Sequence, residues 1–361
     1  MTPRISTISF SSQTGLGVQS RDFVNHMHPD KVLIDDLSAH NGMPVDHSWC
    51  PSAKVVEHND FVYDNGYGPN EYIDWLTDDV DILVVHETPL NHGLYKIARE
   101  KGVKTLQVFN YEFIDGYKHP DWPRADYMGA PTSWKNDEVN ELDMGEVISW
   151  PVPVDRQQFP GRAIGQCETM IHIIGRPTYM DRNGTIPFLK AAYELRNLYK
   201  YKVFLQEPTD PRAEQHFAEV RQHLETYKHT IELIIDTRTP QEIYSQGEVL
   251  VLPRRYGGLC LPMQEALSSG LPTIMTDIRP NYDRLPKEWL VPSTYKDNFF
   301  FHAPVDVYDC NVHELALKML QFDDTTFMGR ANRQTDVIAD QLSWETLKPY
   351  YLETLERICQ K

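Results

Sequence analysis

Two arginines, Arg176 and Arg182, flank a short loop in Gly175-Arg176-Pro177 … Asp181-Arg182-Asn183-Gly184, between a run that reads as a buried strand and one that reads as a helix. The guanidinium fork matches phosphate oxygens, so this pair suits a phosphate; the alternative is two solvated surface arginines. A second stretch, Val249 to Pro280, carries related chemistry: a strand (Val249 to Leu252), a loop with Gly257-Gly258, a helix near Pro262 to Ser269, and a stop at Gly270-Leu271-Pro272. The first turn of a helix leaves its N–H groups without intrahelical partners, and the macrodipole favours an anion there. Glu265, inside that helix, repels phosphate but can accept hydrogen bonds from ribose hydroxyls. Together these residues suggest a nucleoside-diphosphate site; the competing reading is an ordinary βαβ turn with a surface Glu.

Three further groups have chemistry to offer. Ser11-Ser12-Gln13-Thr14-Gly15-Leu16-Gly17 follows the first apolar strand, and glycines let backbone approach a ligand closely; a plain strand–helix turn reads equally from the same letters. His86, in Val85-His86-Glu87-Thr88-Pro89, stands at a strand's carboxyl end, against the alternative of a satisfied structural imidazole. The loop Tyr117 to Arg124, with Lys118 and Trp122, offers a basic and aromatic surface for a stacked acceptor, or is a connecting loop only. Arg254-Arg255 reads as a local charge pair or as a further phosphate contact.

The elements that must position these groups alternate. Apolar strands at Ile5 to Phe10, Lys31 to Leu33, Ile82 to Val85, Thr105 to Phe109 and Val147 to Ile148 are separated by helical stretches at Gln19 to His26, Tyr72 to Leu76 and His92 to Lys101. The proline-rich run Ser149 to Val154, continued by Phe159-Pro160-Gly161, breaks the pattern and reads as a linker. A second series follows: strands at Met170 to Ile174, Lys202 to Leu205 and Ile231 to Ile235, helices at Ile186 to Tyr199 and Pro240 to Ser245, then the stretch from Val249. Alternation of this kind predicts α/β architecture with two Rossmann-like domains, residues 1–155 and 156–342, followed by a terminal amphipathic helix, 343–361. Ligands of open α/β sheets bind at the carboxyl ends of the strands, so an interdomain cleft is the expected site.

Composition removes several classes. The net charge of −17 gives no general attraction to nucleic acid or anionic lipid. No run approaches the ~20 apolar residues of a membrane span, and the opening residues do not read as a secretory signal. Five scattered cysteines without CxxC spacing argue against a disulfide framework and a structural zinc site, and for a reducing cytoplasm. Asp35-Asp36 and Asp78-Asp79 read as solvated turn charges, so no metal site is expected.

Taken in order, the pieces resemble the retaining glycosyltransferases of the GT-B fold, the group that includes glycogen synthases and bacterial mannosyltransferases. Thr14-Gly15-Leu16-Gly17 matches the family's glycine-rich loop, His86 its strand-end histidine, Pro151 to Asp155 with Phe159 its linker, and Gly175-Arg176 with Arg182 or Asn183 its diphosphate grip. Glu265-Ala266 and Gly270-Leu271-Pro272 match the tail of its Glu-x7-Glu segment, but Gly257 stands where the first Glu would touch the donor sugar. The resemblance implies that the terminal helix, 343–361, crosses back to pack on the first domain, and it implies transfer of a sugar from a nucleoside diphosphate to an acceptor hydroxyl, with no metal or other cofactor. Arg176 and Arg182 would neutralise the leaving diphosphate, helped by backbone at Gly258, Leu259, Cys260 and Leu261. Glu265 would hold the ribose, Thr237-Arg238 the base, Gly15 and Gly17 would admit the donor phosphate and acceptor, and His86 would serve the reacting sugar. The missing Glu suits a donor such as a pentose, or a degenerate protein that binds without transfer. The opening also resembles glycosyltransferases of phage genomes, some of which modify DNA bases or virion proteins; the acidic charge disfavours a DNA acceptor here, and protein and glycan acceptors are the others. The oligomeric state is not legible.

Overall fold

The computed structural model describes residues 2–12, 14–41, 44–61, 71–87, 91–159, 161–176, 179–206, 211–235 and 238–361. The chain divides into two compact units. The first is Met1–Pro153 with Phe301–Ala303 and Trp344–Lys361, and the second is Val154–Phe300 with Pro304–Ser343.

The first unit is built on seven parallel strands: β1 (Ile5–Ser9), β2 (Lys31–Asp36), β3 (Lys54–Glu57), β4 (Ile82–His86), β5 (Lys104–Val108), β6 (Tyr127–Ala130) and β7 (Glu146–Ser149), in the order β3-β2-β1-β4-β5-β6-β7. Central strands β1 and β4 are buried along their whole length, which is why each reads as an unbroken apolar or small-polar run. The order reverses between β1 and β4: the chain leaves β1 toward β2 and β3, then returns to lay β4 on its other side. The helix Trp344–Gln360 closes one face of this unit. Tyr351 stacks on Trp150 at 3.9 Å and donates to the Pro151 carbonyl at 2.9 Å, Trp344 stacks on His26 at 4.5 Å, and Leu355 and Ile358 are buried.

The second unit has six parallel strands: β8 (Thr169–Gly175), β9 (Lys200–Leu205), β10 (Glu232–Ile235), β11 (Val249–Leu252), β12 (Thr273–Thr276) and β13 (Leu290–Val291), in the order β10-β9-β8-β11-β12-β13. Its order reverses between β8 and β11. An antiparallel hairpin, β14 (Ser293–Phe300) and β15 (Pro304–Cys310), follows the last strand.

The architecture is therefore the two parallel Rossmann-like sheets that the alternation predicts, but several elements escape a reading of periodicity. The edge strand β3, Lys-Val-Val-Glu, and the inner strand β6, Tyr-Met-Gly-Ala, are four residues each and carry little pattern. The helix expected over Ile186 to Tyr199 stops at Glu194, because Tyr199 turns into the core at 6% exposure and the next strand begins at Lys200. Asp35 is not a solvated turn charge: it is fully buried at the end of β2, where both carboxylate oxygens meet Nδ1 of His58 at 3.0 and 3.1 Å. Asp78 and Asp79 are surface charges, paired with Lys101 and Arg4. Among the described residues no helix is long and apolar enough to cross a membrane.

Candidate functional site

At the reversal point of the second sheet, two loops leave the carboxyl ends of adjacent strands β8 and β11. Crevices of this kind are where open α/β sheets bind ligands. The loop after β8 is unusual in its backbone. Gly175 has φ 63°, Met180 59°, Asp181 49° and Gly184 70°, all in the left-handed region that only glycine enters freely. What holds it is Asp181. Its carboxylate accepts from the N–H groups of Thr185 and Ile186 at 2.9 Å each, capping the helix Thr185–Glu194. Desolvation pushes the Asp181 carboxyl up to about 6, against the pull of those two bonds and of Arg255. A Cβ on Gly184 would collide with the Pro253 carbonyl, so the two loops close on one another only with glycine there. Arg255 completes the join: its N–H donates to the Arg182 carbonyl at 2.8 Å, its guanidinium reaches the Met180 carbonyl, and Asp309 pairs with it at 2.6 Å.

Into this frame the structure sets the predicted residues. Arg176 is exposed just past the end of β8. Arg182 lies with its guanidinium carbon 5.3 Å over the Tyr256 ring. Its Nη2 and Nε lie 2.5 and 3.0 Å from where a Cβ on Gly257 would stand, and the Gly257 φ of 107° again favours glycine. Gly258, Leu259 and Cys260 lead into the helix Leu261–Ser268, whose first turn carries a proline and has N–H groups with no carbonyl behind them. Glu265, half-buried in the next turn, accepts from the Tyr244 hydroxyl at 2.8 Å. That bond orients the carboxylate, and burial together with the Glu265 charge raises the Tyr244 pKa well above its ordinary range. Tyr244→Phe is expected to destabilise the protein by about 1.5–3 kcal/mol, the range for a hydrogen bond to a charged group, measurable by urea unfolding. Arg238 follows β10, three residues past its end.

Two assignments change. Asn183 spends its amide N–H groups on the carbonyls of Ile173 and Ile174 at 3.0 and 3.1 Å, so its amide ties the loop to β8. Arg254 and Arg255 are not a charge pair with a common purpose. Arg254, 4% exposed, turns inward and donates to the Tyr256 and Leu259 carbonyls at 2.9 and 2.7 Å, while Arg255 faces the hairpin. Thr237, Pro177 and Thr88-Pro89 lie outside the described residues.

In the first unit the loop at Ser11 and Ser12 and the end of β4 flank the reversal between β1 and β4. The helix starts at Gly15, earlier than its apolar pattern, because Thr14 caps it by accepting from Gly17 N–H at 3.0 Å. Gly15 and Gly17 thus belong to the helix's first turn; a Cβ on Gly17 would collide with the Ser12 carbonyl. His86 is 4% exposed, packs edge-on to Phe23 at 5.1 Å, and neither ring nitrogen has a hydrogen-bond partner among the described residues. Burial lowers its pKa to about 4, so the imidazole is neutral near pH 7. Trp122 is not an open platform: His119 stacks on it at 3.7 Å and His92 lies 4.4 Å away, whereas Lys118 is exposed. A cluster that the sequence does not announce stands beside it. Buried Asp115 receives His92 at 3.1 Å and His302 at 3.0 Å, two residues far apart in the chain. Burial works against the Asp115 carboxylate, but the two histidine bonds outweigh it and hold its pKa below the usual range. Among the described residues no three His, Cys, Asp or Glu side chains stand as a metal-binding group.

No protein-family model matches the sequence, and comparison with curated proteins finds no match. Solved structures do match. A sucrose-phosphate synthase from Thermosynechococcus elongatus superimposes with a TM-score of 0.69 at 14% identity, over 99% of this chain and 99% of that one. A glycosyltransferase from Rickettsia africae ESF-5 gives 0.67 at 11% identity, over 99% and 98%. The fold is GT-B. The catalytic domain of starch synthase IV from Arabidopsis thaliana, bound to ADP and acarbose, shares the GT-B fold at 0.64 and 11% identity, over the full length of both chains.

Proposed function

We propose that this GT-B chain is a retaining glycosyltransferase that moves a sugar from a nucleoside-diphosphate sugar to an acceptor hydroxyl. The observation that carries the reading is the set of groups at the β8/β11 reversal: Arg176 just past β8, Arg182 on the stretch that Asp181 and Arg255 hold, a helix N-terminus at the end of the Gly257 loop that Arg182 meets, and Glu265 held by Tyr244 one turn further. As the bond from the sugar's anomeric carbon to phosphate oxygen breaks, charge grows on the leaving diphosphate, and both arginines and the helix N-terminus favour that state. Leaving-group oxygen then takes the acceptor proton as the new bond forms on the same face. Glu265 accepts from the ribose hydroxyls, and Arg238 lies on the side of the base. His86, neutral and buried, offers the sugar a hydrogen-bonding imidazole. No metal or further cofactor takes part. A protein or glycan acceptor suits the acidic chain better than a DNA base does, and the five unpaired cysteines suit a reducing cytoplasm.

Gly257 favours a second reading, a GT-B protein that binds a nucleotide without transfer, because two guanidinium ends fill the place a side chain would take there. One experiment separates them. A thermal-shift panel of nucleoside diphosphates and their sugars selects the donor, and transfer to glycosides, protein and DNA is then followed by NMR of the product anomer. Turnover with retained configuration, lost in Arg176→Ala, is the expected outcome. Nucleotide binding without turnover on any donor would leave only the second reading, and an inverted anomer would exclude retention.

A further inference from the structure

A Cβ built on Gly257 would lie 2.5 Å from a terminal nitrogen of Arg182 and 2.5 Å from one of Arg254. The two guanidinium ends are therefore within about 5 Å of each other, where like charges repel. The fold holds them there nonetheless. Arg254 is fixed by the Tyr256 and Leu259 carbonyls, Arg182 rests over the Tyr256 ring, and Arg255 fixes the Arg182 backbone. Gly257, at φ 107°, leaves the space between backbone and guanidinium groups open to neither a side chain nor ordinary strain. Three residues on, the same loop ends at the N-terminus of the helix Leu261–Ser268. The Arg182 guanidinium and the Nη2 end of Arg254, beside a helix N-terminus, suit a group with several charged oxygens.

We propose that Arg182 and Arg254, converging over Gly257, form an anion seat for a negatively charged group of the donor. Arg254 then acts as a further guanidinium beside Arg182, and Gly257, having no side chain, is the residue that lets the two ends meet. The inference rests on the donor reading above and deepens it. Two donor groups share the required chemistry: the diphosphate, and a carboxylate or phosphate on the transferred sugar. In the second case the chain selects an acidic sugar.

Isothermal titration tests this with inorganic pyrophosphate, the nucleoside diphosphate chosen by the panel, and its hexose and hexuronate conjugates. The proteins are the full chain and its Arg176→Ala, Arg254→Lys, Arg254→Met and Gly257→Ala variants, each checked by circular dichroism and urea unfolding. Arg254→Met and Gly257→Ala are expected to weaken the anion by about ten- to hundredfold, and Arg254→Lys, which keeps the charge and loses the fork, by less. Equal weakening of pyrophosphate and both conjugates assigns the seat to the diphosphate. Weakening of the hexuronate alone assigns it to the sugar. If folded Arg254→Met and Gly257→Ala bind every ligand within twofold of the parent while Arg176→Ala loses the nucleotide, the seat does not exist and the donor reading stands. If the parent binds no nucleoside diphosphate, the donor reading falls and the seat with it.

Discussion

Arg182→Ala is expected to lower kcat/KM by about 10²–10³-fold on the selected donor, the loss typical of removing one preorganised group that meets developing charge. The expectation comes from the loop rather than from the charge alone. Met180 and Asp181 sit at φ 59° and 49°, conformations that cost energy and persist only when the surroundings impose them. Asp181 imposes them through two helix N–H groups, and Arg255 adds a bond to the Arg182 carbonyl. The guanidinium is thus placed before any ligand arrives, and little ordering remains for the reaction to supply. Arg182→Lys keeps the charge without the planar fork over Tyr256 and should recover part of the rate. Steady-state kinetics with a melting temperature for each variant decides the matter. An alanine variant that melts earlier but turns over at the parental rate would reduce Arg182 to a packing residue on Tyr256.

The second large effect concerns acid. The folded pKa of His86 is about 4, against an ordinary value near 6.5, because burial disfavours the imidazolium. Below pH 6.5 the unfolded chain takes a proton that the folded one refuses, so stability falls as the pH drops from about 6.5 toward 4. At pH 5 this one group accounts for about 2 kcal/mol. His172 in the second unit behaves alike: its pKa is about 4, lowered by burial against the pull of its bond to the Val251 carbonyl. Asp181 has the opposite sign there. Raised to about 6, it is protonated in the folded state before the unfolded one, and stability gained on acidification offsets the His172 loss. The first unit should therefore weaken in acid more than the second. Urea unfolding of the parent and of His86→Phe, at pH 6.5 and pH 5, measures it. The parent should lose about 1.5 kcal/mol more than the variant over that interval, and equal losses would mean that His86 takes up its proton as readily in the folded protein as in the unfolded chain.

How far the molecule could be read in advance varies by element. Buried strands such as Val-Leu-Val-Leu at 249–252 declare themselves, since burial on both faces leaves only apolar letters. Gly175-Arg176 and Glu265 could be placed because each lies at a fixed step from such a strand. The hairpin β14–β15 could not, for most of β14 is exposed and its sequence looks like loop. The Asp181 cap carries a signal, an Asp shortly before a helix with a glycine between, that could have been used. Asp115 with His92 and His302 carries none, because its third member joins from 187 residues away.

The order of strands and helices, the apolar face each must bury, and the residues that follow each strand were determined by local sequence, since period and punctuation act within a few residues. Which strands are neighbours, and so which loops meet, was decided by tertiary structure. Only the β8/β11 reversal brings Arg182 against Arg254, and only that meeting turns Gly257 from a missing carboxylate into a position where a Cβ has no room. The physical reason is range: backbone preference is fixed by adjacent atoms, whereas the crowding of two guanidinium groups over one Cα depends on arginines 72 residues apart, Arg182 and Arg254.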